Sequence, residues 1–254
     1  MFSWRAEVRP GVWVAFTNAL AGNLALHVGD DPADVRRRRR ELAQAAGLGD
    51  RGFQYMNQVH GNHVAVVAPE AADLPPGSSA GPPPDSWPRA DALVSRGAAL
   101  AVMVADCVPV VLVGADADGE PVLGAVHAGR PGVASGVVPA AVARMRDLGA
   151  AGISAWIGPS VCGRCYEVPA GMRAEVAALV PATWCETPRG TPGLDLPAGV
   201  RQQLESEGVE VAYSGGCTLE DDQLFSYRRN PRTGRFAGLV WACPGNGKDA
   251  DPDG

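Results

Sequence analysis

The sequence has few histidines and no long apolar run, and both absences narrow its function. Four histidines in 254 residues, with no His-x-His pair among them, are too few to build a cluster of several copper ions. No stretch approaches the roughly 20 apolar residues that a membrane span requires. The segment from Met1 to Glu7 has no apolar core typical of a secretory signal. We therefore expect a cytoplasmic protein that contacts no membrane.

The charge balance lacks the basic excess that a nucleic-acid-binding surface needs. The formal net charge is −6, from 22 basic and 28 acidic residues. The basic run from Arg36 to Arg40 lies inside a helical pattern without interleaved aromatic residues, which predicts a solvated helix face. We expect no nucleic-acid partner. Six cysteines in a chain of this length favour thiols, metal ligands or core residues over a disulfide framework.

Length and patterning favour one α/β domain at 1–243, followed by a disordered tail at 244–254. A chain of 254 residues buries about 70–75% of its unfolded surface without disulfides. The run from Leu100 to Val113 is apolar except for Asp106 and Cys107, which predicts a strand covered on both faces. Because Pro109 would interrupt a regular ladder, we expect a break or bulge just after Cys107. The tail is rich in glycine, aspartate and proline.

A histidine follows another short apolar segment. The residues from Pro121 to Val126 predict a buried strand that delivers His127 to its C-terminal end. Gly129 and Gly132 then let the backbone turn sharply and approach a ligand closely. Helical spacing predicts a helix from Val133 to Leu148. Backbone N–H groups at such a turn are suited to hold phosphate or another anion.

Three ligand-type side chains, His60, Cys107 and His127, lie at the end of apolar segments or at a break in one. Strand ends are where sites assemble in open α/β sheets. Two imidazoles and one thiolate suit Zn²⁺ and leave a fourth position for water or substrate. Copper accepts the same donors, so both metals stay open, as do an inert thiol and a loop histidine. The rival pair Cys162-x-x-Cys165 lacks a second pair at zinc-ribbon spacing, which argues against a structural zinc or redox role.

Short motifs spread along the chain match one known family in the same order. They are Asn57-Gln58-Val59-His60-Gly61, Ala90-Asp91-Ala92-Leu93-Val94, Ala105-Asp106-Cys107-Val108-Pro109-Val110, His127-Ala128-Gly129, Ile157-Gly158-Pro159, Cys165-Tyr166-Glu167-Val168, Cys217-Thr218 and Phe225-Ser226-Tyr227-Arg228-Arg229. The sequence resembles the YfiH/YlmD family, also called the laccase-domain or multicopper polyphenol oxidase family. The resemblance covers about residues 12–241.

This resemblance implies an α/β sandwich of the CNF1/YfiH-like type, with mixed sheets flanked by helices. It implies a zinc ion held by His60, Cys107 and His127, the residues that the strand ends also indicated. It further implies a purine nucleoside phosphorylase that acts on adenosine, inosine and S-methyl-5′-thioadenosine, with adenosine deaminase as a second activity. The partners are then a purine nucleoside and phosphate, and we expect a monomer or a weak homodimer.

The sequence departs from the family pattern where phosphate is expected to bind. The family's RxGGVS-like run after the first strand is absent, and the residues from Thr17 to Leu24 stand there instead. The family's HAGWRG reads HAGRPG, so Arg130 replaces the tryptophan and Pro131 the arginine. Arginine binds phosphate through charge-assisted hydrogen bonds. We expect Arg130 to supply that charge, with Gly129 and Arg228 as further substrate-binding or phosphate-binding residues.

Asp106 and Gln58 flank the expected ligands and are candidate catalytic residues, as groups that orient ligands or carry protons. A structural hydrogen bond at a strand end is the alternative for each. Two other functions stay open. One is a copper polyphenol oxidase of the laccase type, and the other is a peptidoglycan-precursor editing hydrolase with Cys107 as nucleophile. Because one thiolate does not readily serve as both zinc ligand and free nucleophile, metal content separates the hydrolase from the zinc enzyme.

Overall fold

The structure is a computed structural model that describes residues 1–49, 51–69 and 87–243. The tail expected at 244–254 lies outside these described residues. In chain order, the strands are β1 (Phe2–Arg9), β2 (Val12–Thr17), β3 (Val64–Val66), β4 (Ala92–Arg96), β5 (Leu100–Val104), β6 (Val108–Ala115), β7 (Pro121–Ala128), β8 (Ala151–Ile157), β9 (Trp184–Glu186), β10 (Pro192–Leu194), β11 (Glu210–Ser214) and β12 (Phe236–Ala242). The α-helices are α1 (Pro32–Ala45), α2 (Arg130–Ser135), α3 (Val137–Asp147), α4 (Ala170–Leu179) and α5 (Leu196–Ser206). None of the helices in the described ranges has the length and apolar character that crossing a bilayer requires.

Two sheets form the frame of the fold. A four-stranded antiparallel sheet has the order β1-β2-β12-β5, and a six-stranded mixed sheet has the order β11-β8-β6-β7-β4-β3. Within the larger sheet, β3 pairs with β4 and β11 pairs with β8 in parallel, whereas the central pairs are antiparallel. Strands β9 and β10 make a separate small hairpin.

The two sheets stack face to face, and helices cover their outer faces. Phe16 of the smaller sheet and Val111 of the larger belong to one buried cluster between them. Leu112 has the opposite orientation and packs with α3 and α5, because side chains alternate along a strand. On the other side, Leu42 of α1 packs with Trp241 of β12. This layered arrangement confirms the α/β sandwich with mixed sheets flanked by helices.

The long apolar run from Leu100 to Val113 serves both sheets. Strand β5 ends at Val104 in the four-stranded sheet, and β6 begins at Val108 in the six-stranded sheet. The residues between them therefore carry the chain from one layer to the other, and Asp106 has a left-handed backbone with φ of 81°. The break therefore falls at residues 105–107 and not after Cys107, and it separates two strands of different sheets. Pro109, the expected cause, instead lies inside β6 and pairs with His127.

The segment after His127 differs from its prediction in two respects. Strand β7 extends to Ala128, so His127 lies within the strand, paired with Pro109. The single helix predicted from Val133 to Leu148 is wrong, because the chain forms α2 and α3 with Gly136 between them. Gly136 has a left-handed φ of 80°, which glycine adopts without steric cost. Apolar residues therefore keep helical spacing on both sides of Gly136, although the first helix ends there.

The junction between the sheets leaves no room for a side chain at Gly158. A Cβ there would overlap the ring of Phe16 and lie 2.7 Å from Cγ of Pro109. We expect Gly158→Ala to lower the free energy of unfolding by about 1–3 kcal/mol, because overpacking strains a filled core. Gly171→Ala is the matched control, since nothing lies within 4 Å of its Cβ and alanine favours the helix. Denaturant unfolding measures both, and equal midpoints would contradict tight packing at the junction.

Candidate metal centre

Antiparallel pairing brings Cys107 and His127 to one edge of the six-stranded sheet. In the register of β6 with β7, Val108 lies opposite Ala128 and Pro109 lies opposite His127. The start of β6 and the end of β7 are therefore neighbours. Cys107 precedes β6 directly, so the crossing between sheets places its thiol beside the His127 imidazole.

The third ligand-type residue, His60, lies in the loop before β3 and is positioned by a buried aspartate. The Asp91 carboxylate accepts hydrogen bonds from the backbone N–H groups of Val59, His60 and Gly61, at 3.2, 2.9 and 2.6 Å. His60 has a left-handed φ of 61°. Such a backbone costs roughly 1–3 kcal/mol and persists where its surroundings determine it. The three hydrogen bonds to Asp91 supply that constraint.

The nitrogen and sulfur atoms of His60, Cys107 and His127 lie within 4.8 Å of one another. The Sγ atom of Cys107 is 3.8 Å from Nε2 of His60, and the two imidazole rings meet edge to face with centroids 4.7 Å apart. A Cβ at Gly129 would lie 2.7 Å from Cδ2 of His60, so this close arrangement requires glycine at 129. The three residues form a group that could hold a metal ion, as the strand ends predicted.

Asp91 also orients His127, a role that the sequence analysis missed. Its carboxylate oxygen lies 2.8 Å from Nδ1 of His127, and Asp91 is fully buried. Nε2 of His127 is thereby left for an ion, as is typical of metal-binding histidines with a carboxylate partner. Burial favours a raised pKa for Asp91, but hydrogen bonds from His127, Gly61 and His60 outweigh it and lower this pKa. In the sequence, the feature that could have indicated this role was an aspartate directly before a buried apolar strand.

The protein environment favours the thiolate form of Cys107. Burial opposes its ionisation, but the charge and hydrogen bonds of His127 and His60 outweigh burial and lower the pKa of Cys107 to about 6. Burial likewise opposes the charged form of His127, but Cys107 and Asp91 raise the pKa of His127 to about 9. An anionic sulfur beside two imidazoles is a suitable ligand for a soft or borderline cation.

A cavity of about 420 Å³ opens next to this group. Its walls include Cys107, Arg130, Tyr166, Tyr227 and Arg228. The Arg228 guanidinium lies 4.3 Å from the centre of the Tyr166 ring. This volume is typical of small-molecule sites, which bury most of their ligand. Two of the residues predicted to bind substrate or phosphate, Arg130 and Arg228, thus line the same cavity as Cys107, a metal-ligand candidate.

The two candidate catalytic residues make specific hydrogen bonds beside the group. Gln58 donates to the carbonyl of Met103 at 2.7 Å and accepts from the N–H of Met103 at 3.0 Å. Asp106 accepts from the Thr218 hydroxyl at 2.6 Å and from the N–H of Arg228 at 2.7 Å. Gln58 therefore fastens the His60 loop to β5, whereas Asp106 fastens the cavity wall to the crossing between sheets and also lines the cavity.

Comparison with known proteins agrees with this fold. Residues 13–243 match the model of a family described as multi-copper polyphenol oxidoreductase laccase. A crystal structure from Neisseria meningitidis has a TM-score of 0.75 at 31% identity and covers 96% of this chain and 99% of its own. YlmD from Geobacillus stearothermophilus has a TM-score of 0.76 at 28% identity and covers 94% of this chain and 98% of its own.

Curated relatives of this chain are named as purine nucleoside phosphorylases and not as laccases. A purine nucleoside phosphorylase of Streptomyces coelicolor is 52% identical over 86% of this chain and 87% of its own length. One from Streptomyces griseus is 51% identical over 93% of this chain and 96% of its own. The chain belongs to the multi-copper polyphenol oxidoreductase laccase family. It shares its fold with the solved structures of YfiH from Bacillus licheniformis and of YlmD. The predicted family resemblance is confirmed.

The role of Asp91 can be tested through metal affinity. We expect Asp91→Asn to weaken divalent metal binding by about 10–100-fold, because the amide neither carries the charge that orients His127 nor accepts equally from the His60 loop. Competition with a chromophoric chelator measures the affinity. Asp147→Asn, at a surface ion pair with Arg144, is the control and should bind metal like the wild type. Equal affinities for the two variants would rule out the orienting role.

Proposed function

We propose that this protein is a zinc-dependent purine nucleoside phosphorylase that acts on adenosine, inosine and S-methyl-5′-thioadenosine. The observation that carries the proposal is the His60–Cys107–His127 group, which adjoins a cavity of about 420 Å³ that also contains two arginines. Three relatives named purine nucleoside phosphorylase are 52%, 51% and 45% identical to this chain. The names of these relatives support the class of enzyme. The site of this chain supports a metal ion as cofactor and an anion as one substrate.

The donor set fits zinc. Two imidazoles and one thiolate are a familiar zinc ligand set that leaves one position for water or substrate. Asp91 supplies the carboxylate partner that zinc-binding histidines commonly have. When bound, the ion supplies concentrated positive charge beside the reacting oxygen atoms. Oxidation by a cluster of several copper ions is less well supported, because such a cluster needs more histidine ligands. The other two histidines, His27 and His63, lie in no group of side chains that could hold a metal ion among the described residues.

The residues of the cavity are suited to phosphorolysis. In this reaction a phosphate oxygen attacks C1′ of the ribose, the glycosidic C–N bond breaks, and the purine leaves with its bonding electrons and takes up a proton. Arg130 and Arg228 provide positive charge that binds phosphate and aligns it with C1′. Tyr166 and Tyr227 provide aromatic surface for the nucleoside.

Asp106 and Gln58 contribute differently in this proposal. Asp106 keeps the backbone of Arg228 in place, and its carboxyl group lines the cavity, where it can relay a proton to the leaving purine. Gln58 has both polar atoms of its amide bonded to Met103. It therefore acts by positioning the His60 loop and does not contact the substrate.

Two other reactions compete for the same site. Adenosine deamination needs an activated water molecule where phosphorolysis needs phosphate. A metal ion held by His60, Cys107 and His127 would supply the positive charge that either reaction uses. A hydrolase with Cys107 as nucleophile is favoured by the thiolate–imidazolium pair, since the pKa of Cys107 falls to about 6. The nature of the products and the metal dependence distinguish these alternatives.

The reaction can be assigned with adenosine in the presence and absence of phosphate. We expect adenine release that depends on phosphate, and a loss of about 100-fold or more in His127→Ala, because the site loses a metal ligand. His27→Gln, outside the metal-capable groups, should keep wild-type activity. Inosine formed without phosphate would support deamination instead. Full activity of the metal-free protein would contradict the metalloenzyme.

Arg130 should determine the affinity for phosphate. We expect Arg130→Ala to raise KM for phosphate by about 10–100-fold, the cost of one charge-assisted contact, while the metal content stays unchanged. Arg144→Ala, at an exposed position on α3, is the matched control with an unaltered KM. Steady-state kinetics at saturating nucleoside and metal analysis of the same samples make the test. An unchanged phosphate dependence would place the phosphate elsewhere in the cavity.

A further inference from the structure

A second group of metal-binding side chains lies apart from the His60–Cys107–His127 centre. Cys162, Cys165, Cys217 and Glu220, here called the thiol cluster, have ligand atoms that all lie within 4.8 Å of one another. The sequence shows the Cys162-x-x-Cys165 pair without a second pair at zinc-ribbon spacing. The fold supplies the missing donors from the segment after β11. The lack of a second cysteine pair at zinc-ribbon spacing therefore no longer argues against a metal site here.

A tight turn presents the first two sulfurs. The backbone N–H groups of Cys165 and Tyr166 both donate to the carbonyl of Cys162, at 3.0 and 2.9 Å. Gly163 lies within this turn, and a Cβ there would be 2.6 Å from Cβ of Asp195. The turn is thus packed against the start of α5, and its shape is determined by contacts that involve no ion.

Backbone pairing holds the third sulfur beside that turn. The N–H of Ser160 donates to the carbonyl of Gly216 at 3.2 Å, and the N–H of Thr218 donates to the carbonyl of Ser160 at 3.0 Å. Cys217 lies between these two hydrogen bonds. Its Sγ accepts from the N–H of Cys162 at 3.4 Å, a contact of the kind that supports metal-bound thiolates. The donors are therefore arranged before any ion arrives.

Glu220 completes the set with an oxygen. Its Oε1 lies 3.4 Å from Sγ of Cys165. Glu220 is exposed and the three cysteines are partly buried, so an ion can enter from the surface and be enclosed by sulfur. Three thiolates and one carboxylate provide four donors, the number that closed tetrahedral zinc sites use. Such a site differs from the main centre, where three ligands leave one position open.

We propose that the thiol cluster binds a second zinc ion whose role is structural. The ion would join the loop after β8 to the segment after β11. Both segments contribute to the cavity, because Tyr166 follows Cys165 directly and Thr218, next to Cys217, donates to Asp106 at 2.6 Å. The second ion therefore braces the cavity wall that carries Tyr166 and Arg228, and it takes no part in the reaction.

Metal counting tests the proposal independently of enzyme activity. The full chain is purified under reducing conditions, loaded with zinc, freed of excess ion and analysed by elemental mass spectrometry. We expect two zinc ions per chain in the wild type, one in Cys217→Ser, one in His127→Ala, and none in the double variant. Cys243→Ser, a cysteine outside both groups, is the matched control and should keep two ions.

Cobalt(II) substitution identifies the site that remains. We expect His127→Ala to retain the intense charge-transfer absorption of a cobalt ion with three thiolates, and Cys217→Ser to lose it. If Cys217→Ser does not fold, the exposed Glu220→Gln variant replaces it, with an expected loss of about 10-fold or more in affinity for the second ion. The proposal is overturned by a single ion that His127→Ala removes, by two ions in Cys217→Ser, or by a disulfide among these cysteines in the freshly purified protein.

Discussion

One buried carboxylate organises the main centre. Asp91 accepts hydrogen bonds from three successive N–H groups of the His60 loop and from Nδ1 of His127. A buried charge is costly unless it is paired and hydrogen-bonded, and here every partner of the Asp91 carboxylate belongs to the His60 loop or is His127. The left-handed backbone of His60 and the orientation of the His127 ring depend on the same group. The local strain and the ligand geometry therefore have one cause.

The site also depends on the layered fold. The chain crosses from one sheet to the other at Asp106 and Cys107, which places a thiol at the sheet edge where β7 ends. Asp106 is in contact with Thr218 and the backbone of Arg228, so the crossing is also connected to the cavity wall. Thr218 adjoins Cys217 of the thiol cluster. The main centre, the cavity and the thiol cluster thus form a continuous set of contacts.

Much of this arrangement was accessible from residue patterns. Valine-rich segments predicted buried strands, and donor residues at strand ends predicted the group of His60, Cys107 and His127. These inferences succeeded because a strand covered on both faces is a short continuous apolar run, so the residues that interrupt or follow it can be located in the sequence. The break at Gly136 was missed, because apolar residues keep helical spacing on both sides of it. The sequence left a catalytic and a structural role open for both Gln58 and Asp106. Their hydrogen bonds favour a positioning role for Gln58 and leave Asp106 with access to the cavity.

Side-chain type and spacing are local properties, so the amino-acid pattern was enough to indicate the buried segments and the donors at their ends. The three-dimensional fold was needed to show that Asp91 joins His60 to His127, and that Cys217 and Glu220 approach Cys162 and Cys165. Those contacts join residues far apart along the chain. Their formation depends on strand order and register, which are set by packing of the whole core and leave no periodic trace near the residues concerned.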